Sequence, residues 1–453
     1  MAKVVLVAGL GYGDEGKGSL IDYLTRRDEA KLVVRYNGGA QAAHNVVTAD
    51  GQHHLFAQFG SGTLAGARTH LSRHMLVNPL FLDSEEQHLR KLGVGDAFER
   101  TTIERSALVT NPFQVASNRL REMSRNKGRH GSCGMGIGET VGDSVALGDQ
   151  ALRVADLESP AVLRDKLHAS QVFKREQLRP LFEGLDKTEH VLREWAILDD
   201  PHIVDQCVAR FTAIAHLVQL VDNDFLAEAL AEPGTVLFEG AQGVLLDQDY
   251  GTFPYVTRSK ITFENAYDLL GDFAGPVTRM GILRTYMTRH GAGPFVTEDP
   301  ELEHPEIHNC FGPWQEGWRQ GHLDFMALDY AVRAIGGVDE LAVTHLDCLK
   351  GPWKVATGYI PYFDWELPVA TEEQARLQEL ASTSEKLAKL RPSYSSLNNP
   401  SPEDVLRWIS LVLKAPVTIT SHGPTAEDKH ARLQPRPHTR HRHSSGLRPD
   451  ADG

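Results

Sequence analysis

The residues best equipped for chemistry crowd into one short stretch, Gly9-Leu-Gly-Tyr-Gly-Asp-Glu-Gly-Lys-Gly18. Gly11 to Lys17 satisfies the first seven positions of the phosphate-loop pattern GxxxxGK[ST], in which small residues let backbone N–H groups approach phosphate and the lysine neutralises its charge. Residue 18 is glycine where that pattern needs a hydroxyl for magnesium. An acidic pair, Asp14-Glu15, lies inside the glycine run, and a carboxylate beside phosphate repels it unless a cation intervenes. Asp14 is thus a candidate for holding Mg²⁺, for taking a proton from a substrate, or for both. A second loop of small residues, Gly38-Gly39-Ala40-Gln41-Ala42-Ala43-His44, frames one amide and one imidazole. An imidazole next to a transferring phosphoryl group would stabilise the charge that develops there.

These loops need elements to aim them. Lys3 to Ala8 is a β-branched run ending in glycine, the pattern of a parallel strand covered on both faces. After the glycines, Ser19 to Leu24 has apolar residues at helical spacing. A second strand, Lys31 to Tyr36, runs into Asn37-Gly38-Gly39; Thr235 to Phe238 runs into Glu239-Gly240-Ala241-Gln242-Gly243; Leu341 to Thr344 runs into His345-Leu346-Asp347. Strands that repeatedly end in polar or glycine loops predict an α/β fold with a mostly parallel sheet, flanked by helices and carrying helical subdomains. Its ligand crevice is expected beyond the carboxyl ends of the strands.

Composition narrows the class. The 453 residues are 41% hydrophobic and 24% charged, which fits a globular chain and excludes a collagen-like or disordered one. Forty-seven basic against sixty acidic residues leave −13, so a broad surface for nucleic acid is not expected. Cys133, Cys207, Cys310 and Cys348 form no CxxC pair, which argues against a disulfide framework or a zinc finger and for a reducing, cytoplasmic setting. No segment reads as a leader or a membrane span. From Asp428 onward the chain is rich in His, Arg and Pro, and residues 428–453 are expected to be a disordered tail.

Five stretches together carry a family resemblance. Gly13-Asp14-Glu15-Gly16-Lys17-Gly18, Val34-Arg35-Tyr36-Asn37-Gly38-Gly39 leading to His44, Phe238-Glu239-Gly240-Ala241-Gln242-Gly243 through Asp247, Gly251-Thr252-Phe253-Pro254-Tyr255-Val256-Thr257, and Thr288-Arg289-His290-Gly291-Ala292-Gly293-Pro294-Phe295 closely resemble, in order, the signatures of adenylosuccinate synthetases. The resemblance implies one such domain over residues 1–427, with a helical insertion over about 100–230. It implies a ligase that uses GTP to phosphorylate the 6-oxygen of IMP and then joins aspartate there, making adenylosuccinate. In that scheme Asp14 takes the purine N1 proton and binds Mg²⁺, the backbone of Ala43 is a second metal contact, and His44 assists phosphoryl transfer. Gly13, Glu15, Gly16, Lys17 and Gly18 hold the GTP phosphates, with Lys17 also neutralising charge in catalysis. Gln41, Ser132, Cys133, Gln242 and Thr257 hold the nucleotide substrate. Asp347 can accept both the N1–H and the N2 amine of guanine, and Ser421 and Gly423 fall in a matching loop beside the base. A homodimer is implied as well.

The chain departs from the family where anions should be gripped. Gly131-Ser132-Cys133-Gly134-Met135-Gly136 has Met135 in place of an arginine, Val145 to Gln150 carries Leu147 and Asp149 where a partner-subunit arginine is expected, and Phe311 to Gly321 replaces an arginine-rich loop, leaving Arg319 for the amine's carboxylates. Neither methionine nor tryptophan offers arginine's planar fork of donors. Arg125, Lys127, Arg129 and His130 are candidate substitutes, and Trp314 and Trp318 could lie over an aromatic acceptor. His345 and His422 also depart from the family's pattern around the base. Two alternatives therefore stand beside adenylosuccinate synthesis: the same activation chemistry on another oxopurine-like acceptor or amine, and a GTP-binding regulatory protein that has lost synthesis.

Overall fold

The computed structural model describes residues 1–306, 314 and 317–432. Its centre is a ten-stranded sheet, with strands numbered here in chain order: β1 (Lys3–Gly9), β2 (Leu32–Arg35), β3 (Arg68–Leu71), β4 (Thr101–Glu104), β5 (Gln219–Val221), β6 (Thr235–Gly243), β7 (Val277–Arg284), β8 (Glu340–Thr344), β9 (Val417–Ser421) and β10 (Lys429–Ala431). In space the order is β10-β9-β8-β7-β1-β6-β2-β3-β4-β5. Every pairing is parallel except that of β9 with the edge strand β10. Val4, Leu6, Val236, Phe238 and Val343 are buried, as expected of parallel strands covered on both faces. With β1 between β6 and β7, the loops after β1, β2, β6, β7 and β8 all emerge on one side.

Two expected boundaries move. The strand expected over 235–238 continues through Gly243, because Gly9 of β1 pairs with Gly243 after an irregularity between Val7 and Gly9. The Glu-Gly-Ala-Gln-Gly stretch is therefore strand rather than loop. At the other end, residues 429–431 of the expected tail pair with β9, so ordered chain reaches past 428; residues 433–453 lie outside the described residues.

The helical insertion is interleaved with the sheet, since β4 and β5 fall within the range expected for it. Between them lie helices Pro112–Ser124, Ile137–Leu147, Pro160–Glu183, Glu189–Asp199 and His202–Ala215. The first starts where a sequence reader would place it: Asn111 accepts from the N–H groups of Phe113 and Gln114, Gln114 reciprocates to the Asn111 N–H, and Pro112 takes the first turn. Phe113, Leu120, Leu163, Leu167, Leu178 and Phe211 pack into a second apolar core that fixes these helices opposite the strand ends. Cys207 belongs to that core. None of the described helices is long and apolar enough to cross a membrane.

Candidate active site

The first loop is held open by its own side chains. The Glu15 carboxylate turns back and accepts from the N–H groups of Gly11 and Gly13 at 2.9 and 2.8 Å, while Lys17 bonds both Glu15 and the Gly13 carbonyl at 2.8 Å. Both side chains are buried. Thr344 at the end of β8 donates to the Glu15 carbonyl at 2.8 Å, and the buried Arg284 at the end of β7 donates to the Asp14 carbonyl. Helix Lys17–Asp28 follows directly, entered through Gly16 in a left-handed conformation with φ of 93°. The glycine at 18 now has a reason. A Cβ there would lie 2.8 Å from the Asn45 carbonyl oxygen and 2.9 Å from the His44 backbone, so the hydroxyl of the usual phosphate loop is excluded by the approach of strand His44–Val47.

His44 is the second fixed point. Its Nδ1 lies 2.6 Å from an oxygen of Glu239, a residue 195 positions away on β6. Both are buried. Burial works against ionisation of Glu239, but Arg35, His44 and Ser61 outweigh it and hold the carboxyl down to about 2. For His44 burial is the largest influence and lowers it to about 4, against the pull of Glu239. The resting pair is thus a carboxylate accepting from the Nδ1–H of a neutral imidazole, which leaves Nε2 as the ring's free nitrogen. Ser61 supports the same carboxylate through its N–H at 2.9 Å and its hydroxyl.

Between these loops and the helical insertion opens a cavity of about 580 Å³. Gly13, Asp14, Gln41, Ala43, His44, Ser132, Cys133, Gln242 and Thr257 all line it, so residues from five separate stretches of sequence meet at one place. Among the described residues, Asp14 Oδ2 and both amide atoms of Gln41 are buried without a hydrogen-bond partner, although Oδ2 faces the His290 ring. Burial raises the Asp14 pKa, partly offset by His290, whose Nε2 is 3.5 Å away, and by Arg284. Gln242 holds a left-handed backbone, φ 64°, next to Gly13. Strain of this kind, worth on the order of 1–3 kcal/mol, persists where its surroundings enforce it.

Other expected residues lie elsewhere. Asp347 is exposed just after β8, while Ser421 and Gly423 end the neighbouring β9, so the three form a group beyond Thr344 and outside the cavity. His345 packs edge-on to Tyr286 at 5.7 Å, and His422 is exposed beside His430. Arg319 is absent from the cavity wall: its guanidinium is used by the carbonyls of Gly291 and Gly293, at 2.7 and 3.0 Å, and by Glu298. Arg125 is paired with Glu122. Trp314 packs on the altered 131–136 loop, where a Cβ at Gly134 would fall 2.8 Å from its ring, with Arg119 over its face at 5.5 Å. Residues 307–313, 315 and 316, and the Lys127 side chain, lie outside the described residues.

Sequence reasoning missed Glu239 as the partner of His44, and missed Arg258, Arg289 and His290 on the cavity wall. Glu239 fell in the stretch expected to be the loop after the 235–238 strand, so nothing local marked it as the partner of His44. Arg289 is buried, bonds the Pro294 carbonyl at 2.9 Å and covers the Tyr12 ring at 4.4 Å.

Fold and site define an α/β protein with a glycine-rich, phosphate-loop-like turn after its central strand and one large cavity at the strand ends. A family model described as adenylosuccinate synthetase matches residues 6–430. The chain is 32% identical over 454 residues to an adenylosuccinate synthetase of Neisseria gonorrhoeae, covering 94% of this chain and 98% of that one. It is 29% identical over 450 residues to the one from Chlorobium luteolum, covering 93% and 96%. Among solved structures, the fully ligated adenylosuccinate synthetase from Plasmodium falciparum shares its fold, with a TM-score of 0.73 at 22% identity over 95% of this chain and 100% of that one. The chain belongs to the adenylosuccinate synthetase family, and is a ligase that forms a carbon–nitrogen bond.

Proposed function

We propose that this chain joins aspartate to IMP at the expense of GTP, forming adenylosuccinate, and that it does so with Mg²⁺ as a cytoplasmic homodimer. The observation that carries the reading is that the Asp14 carboxylate, whose Oδ2 accepts no hydrogen bond among the described residues and faces His290 at 3.5 Å, lines the same cavity as the buried His44–Glu239 couple. Simple nucleotide binding needs neither. Burial raises the Asp14 carboxyl, which makes its ionised form a stronger base, and Asp14 takes the N1 proton of the purine and concentrates negative charge on the 6-oxygen. That oxygen attacks the γ-phosphoryl group of GTP and displaces GDP; the amine of aspartate then adds at carbon 6, loses a proton, and phosphate leaves with the 6-oxygen. His44, neutral at rest, gains a proton more readily as phosphate charge arrives, and Glu239 balances the imidazolium. Lys17 carries the positive charge of the phosphate loop, which Glu15 balances until phosphate arrives; Gln41, Gln242, Ser132, Cys133 and Thr257 position the nucleotide acceptor.

The described residues hold no cluster of three or more His, Cys, Asp or Glu that would cage a metal by itself. One carboxylate with a free oxygen beside a phosphate loop fits Mg²⁺, which keeps few protein ligands and shares the rest with water and phosphate. Asp14, with the backbone of Ala43, would hold it, and the ion would neutralise charge on the phosphates. Asp347, Ser421 and Gly423 form the guanine side of the site. The relatives give no support to a different acceptor or to a regulatory protein without synthesis.

The test is mass spectrometry of the protein incubated with GTP, Mg²⁺, IMP and aspartate, with Asp14→Asn alongside. Adenylosuccinate is expected from the wild type. The variant should lose about 10²–10⁴-fold in rate, the usual worth of a positioned base, while still binding nucleotide. Equal turnover by the variant would overturn the role of Asp14, and no product from the wild type would overturn the substrate assignment.

A further inference from the structure

The cavity wall has almost no charge left to offer an anion. On the side built by the helical insertion, Arg121 pairs with Glu139 at 2.9 Å, Arg125 with Glu122, and Lys174 with both Glu139 and Asp143 at 2.7 and 2.5 Å. Three cations and three carboxylates cancel. On the opposite side Arg289 is consumed by the carbonyls of Ala292 and Pro294, His44 by Glu239, and His290 faces Asp14. IMP nevertheless brings a 5′-phosphate of roughly two negative charges, which must be matched somewhere in this cavity.

Arg258 differs from the other cations. Of the arginines and lysines lining the cavity, it has neither a carboxylate partner nor a carbonyl acceptor among the described residues. It follows Thr257 directly, and Thr257 is a hydroxyl expected to hold the nucleotide. Its stem rests on the first turn of helix Ile137–Leu147, where a Cβ at Gly138 would lie 3.3 Å from Arg258 Cγ. Gly138 thus leaves the arginine room to lie against the cavity mouth. Ser132, Thr257 and Arg258 all line the same cavity, to which they offer two hydroxyls and one planar, permanently charged fork of donors.

We infer that Arg258 reads the 5′-phosphate of the acceptor nucleotide and sets the preference for a nucleotide over its nucleoside. This rests on the proposed function, which supplies IMP as acceptor. The amine's carboxylates are a less suitable target, because Thr257, Arg258's neighbour, belongs to the nucleotide side, and Arg319, expected to bind the amine, lies off the cavity.

The test compares wild type, Arg258→Ala and Arg258→Lys in steady-state kinetics with IMP and with inosine, and in calorimetric titration by IMP. Arg258 is exposed, so a thermal melt should show all three folded alike. Arg258→Ala is expected to raise KM and Kd for IMP about tenfold to a hundredfold, the worth of one charge-assisted contact. The preference for IMP over inosine should shrink by the same factor, with kcat and KM for aspartate moving far less. Arg258→Lys should recover part of the loss. Unchanged KM and Kd for IMP would overturn the inference, and so would a rise confined to aspartate. Failure of the wild type to make adenylosuccinate while it binds IMP would overturn the proposed reaction alone, and the calorimetric comparison would still decide Arg258. No IMP binding by the wild type would overturn both.

Discussion

The two walls of the cavity are built on opposite plans. On the loop side, backbone groups take part in fixing the charges: Glu15 accepts from two loop N–H groups, Lys17 donates to the Gly13 carbonyl, and Glu239 accepts from the Ser61 N–H. On the helix side, Arg121, Arg125 and Lys174 are fixed chiefly by other side chains at the ends of flexible stems. The first plan suits phosphoryl transfer, in which donors must already stand where charge will develop. The second suits recognition, because side-chain pairs can be exchanged without rebuilding the backbone. Two departures from the family pattern, Met135 and Leu147, fall on or next to the helix side, while the phosphate loop keeps the family's residues; His345 and His422 depart in a third place, just beyond β8 and β9.

The sharpest way to break this contrast is to remove one member of a pair on each side. Glu15→Gln keeps an oxygen for the Gly11 and Gly13 N–H groups but leaves Lys17 charged, buried and without its counterion. Breaking a buried pair from one side costs about 3–5 kcal/mol. Arg121→Ala breaks a pair that is partly exposed, at 31% and 14%, and a cost of about 1 kcal/mol or less is expected. Urea unfolding of both variants measures the difference. Equal losses would mean the loop side is no more firmly built than the helix side.

A smaller effect separates two glycines. Gly18→Ser would complete the usual phosphate-loop pattern on paper, yet its Cβ meets the backbone of His44 and Asn45 at 2.8–2.9 Å. Overpacking of this kind costs about 1–3 kcal/mol and pushes His44 off Glu239, so turnover should fall with stability. Gly142, on the cavity face of helix Ile137–Leu147, has nothing within 4 Å of a built Cβ. Gly142→Ala should stabilise by up to about 1 kcal/mol through helix propensity alone. Gly18→Ala separates the causes: if it behaves like wild type while serine does not, the hydroxyl and not the Cβ is at fault.

The loop side was largely legible in the sequence, because strand, glycine turn and helix are local patterns and Asp14, Lys17 and His44 sit within them. The oddity at residue 18 was visible, but its cause was not, since the clashing backbone of Asn45 belongs to another element. Glu239 was hidden for the same reason: only pairing of β6 with β1 and β2 brings it under His44. The helix side was legible as helices and not as a wall. Arg319 was expected to bind substrate as the arginine left in the segment that matches the family's arginine-rich loop, whereas neighbouring carbonyls take up its guanidinium. Arg258 passed unnoticed because an arginine without a partner can be identified only once the partners of all the others are known.

The subtlest difference between the walls concerns protons. His44 is held at about 4 in the folded protein, below the ordinary value of about 6.5 that it regains on unfolding. Between those values the unfolded chain takes up a proton that the folded chain refuses, so the contribution of His44 weakens stability as pH falls from about 6.5 toward 4. Glu239 shifts the same way and acts lower: held at about 2, it stabilises the fold above its ordinary value near 4.5, and that stabilisation is lost as pH falls from there toward 2. The loop side should therefore yield to acid in two stages, His44 first. Urea midpoints from pH 7.5 to 4.5 should decline, and His44→Asn, which can still donate to Glu239, should decline less over the same range. The Lys174 cluster holds no histidine, so Lys174→Met should shift the whole curve downward without changing its slope above pH 6. An undiminished slope in His44→Asn would assign the acid sensitivity to another part of the molecule.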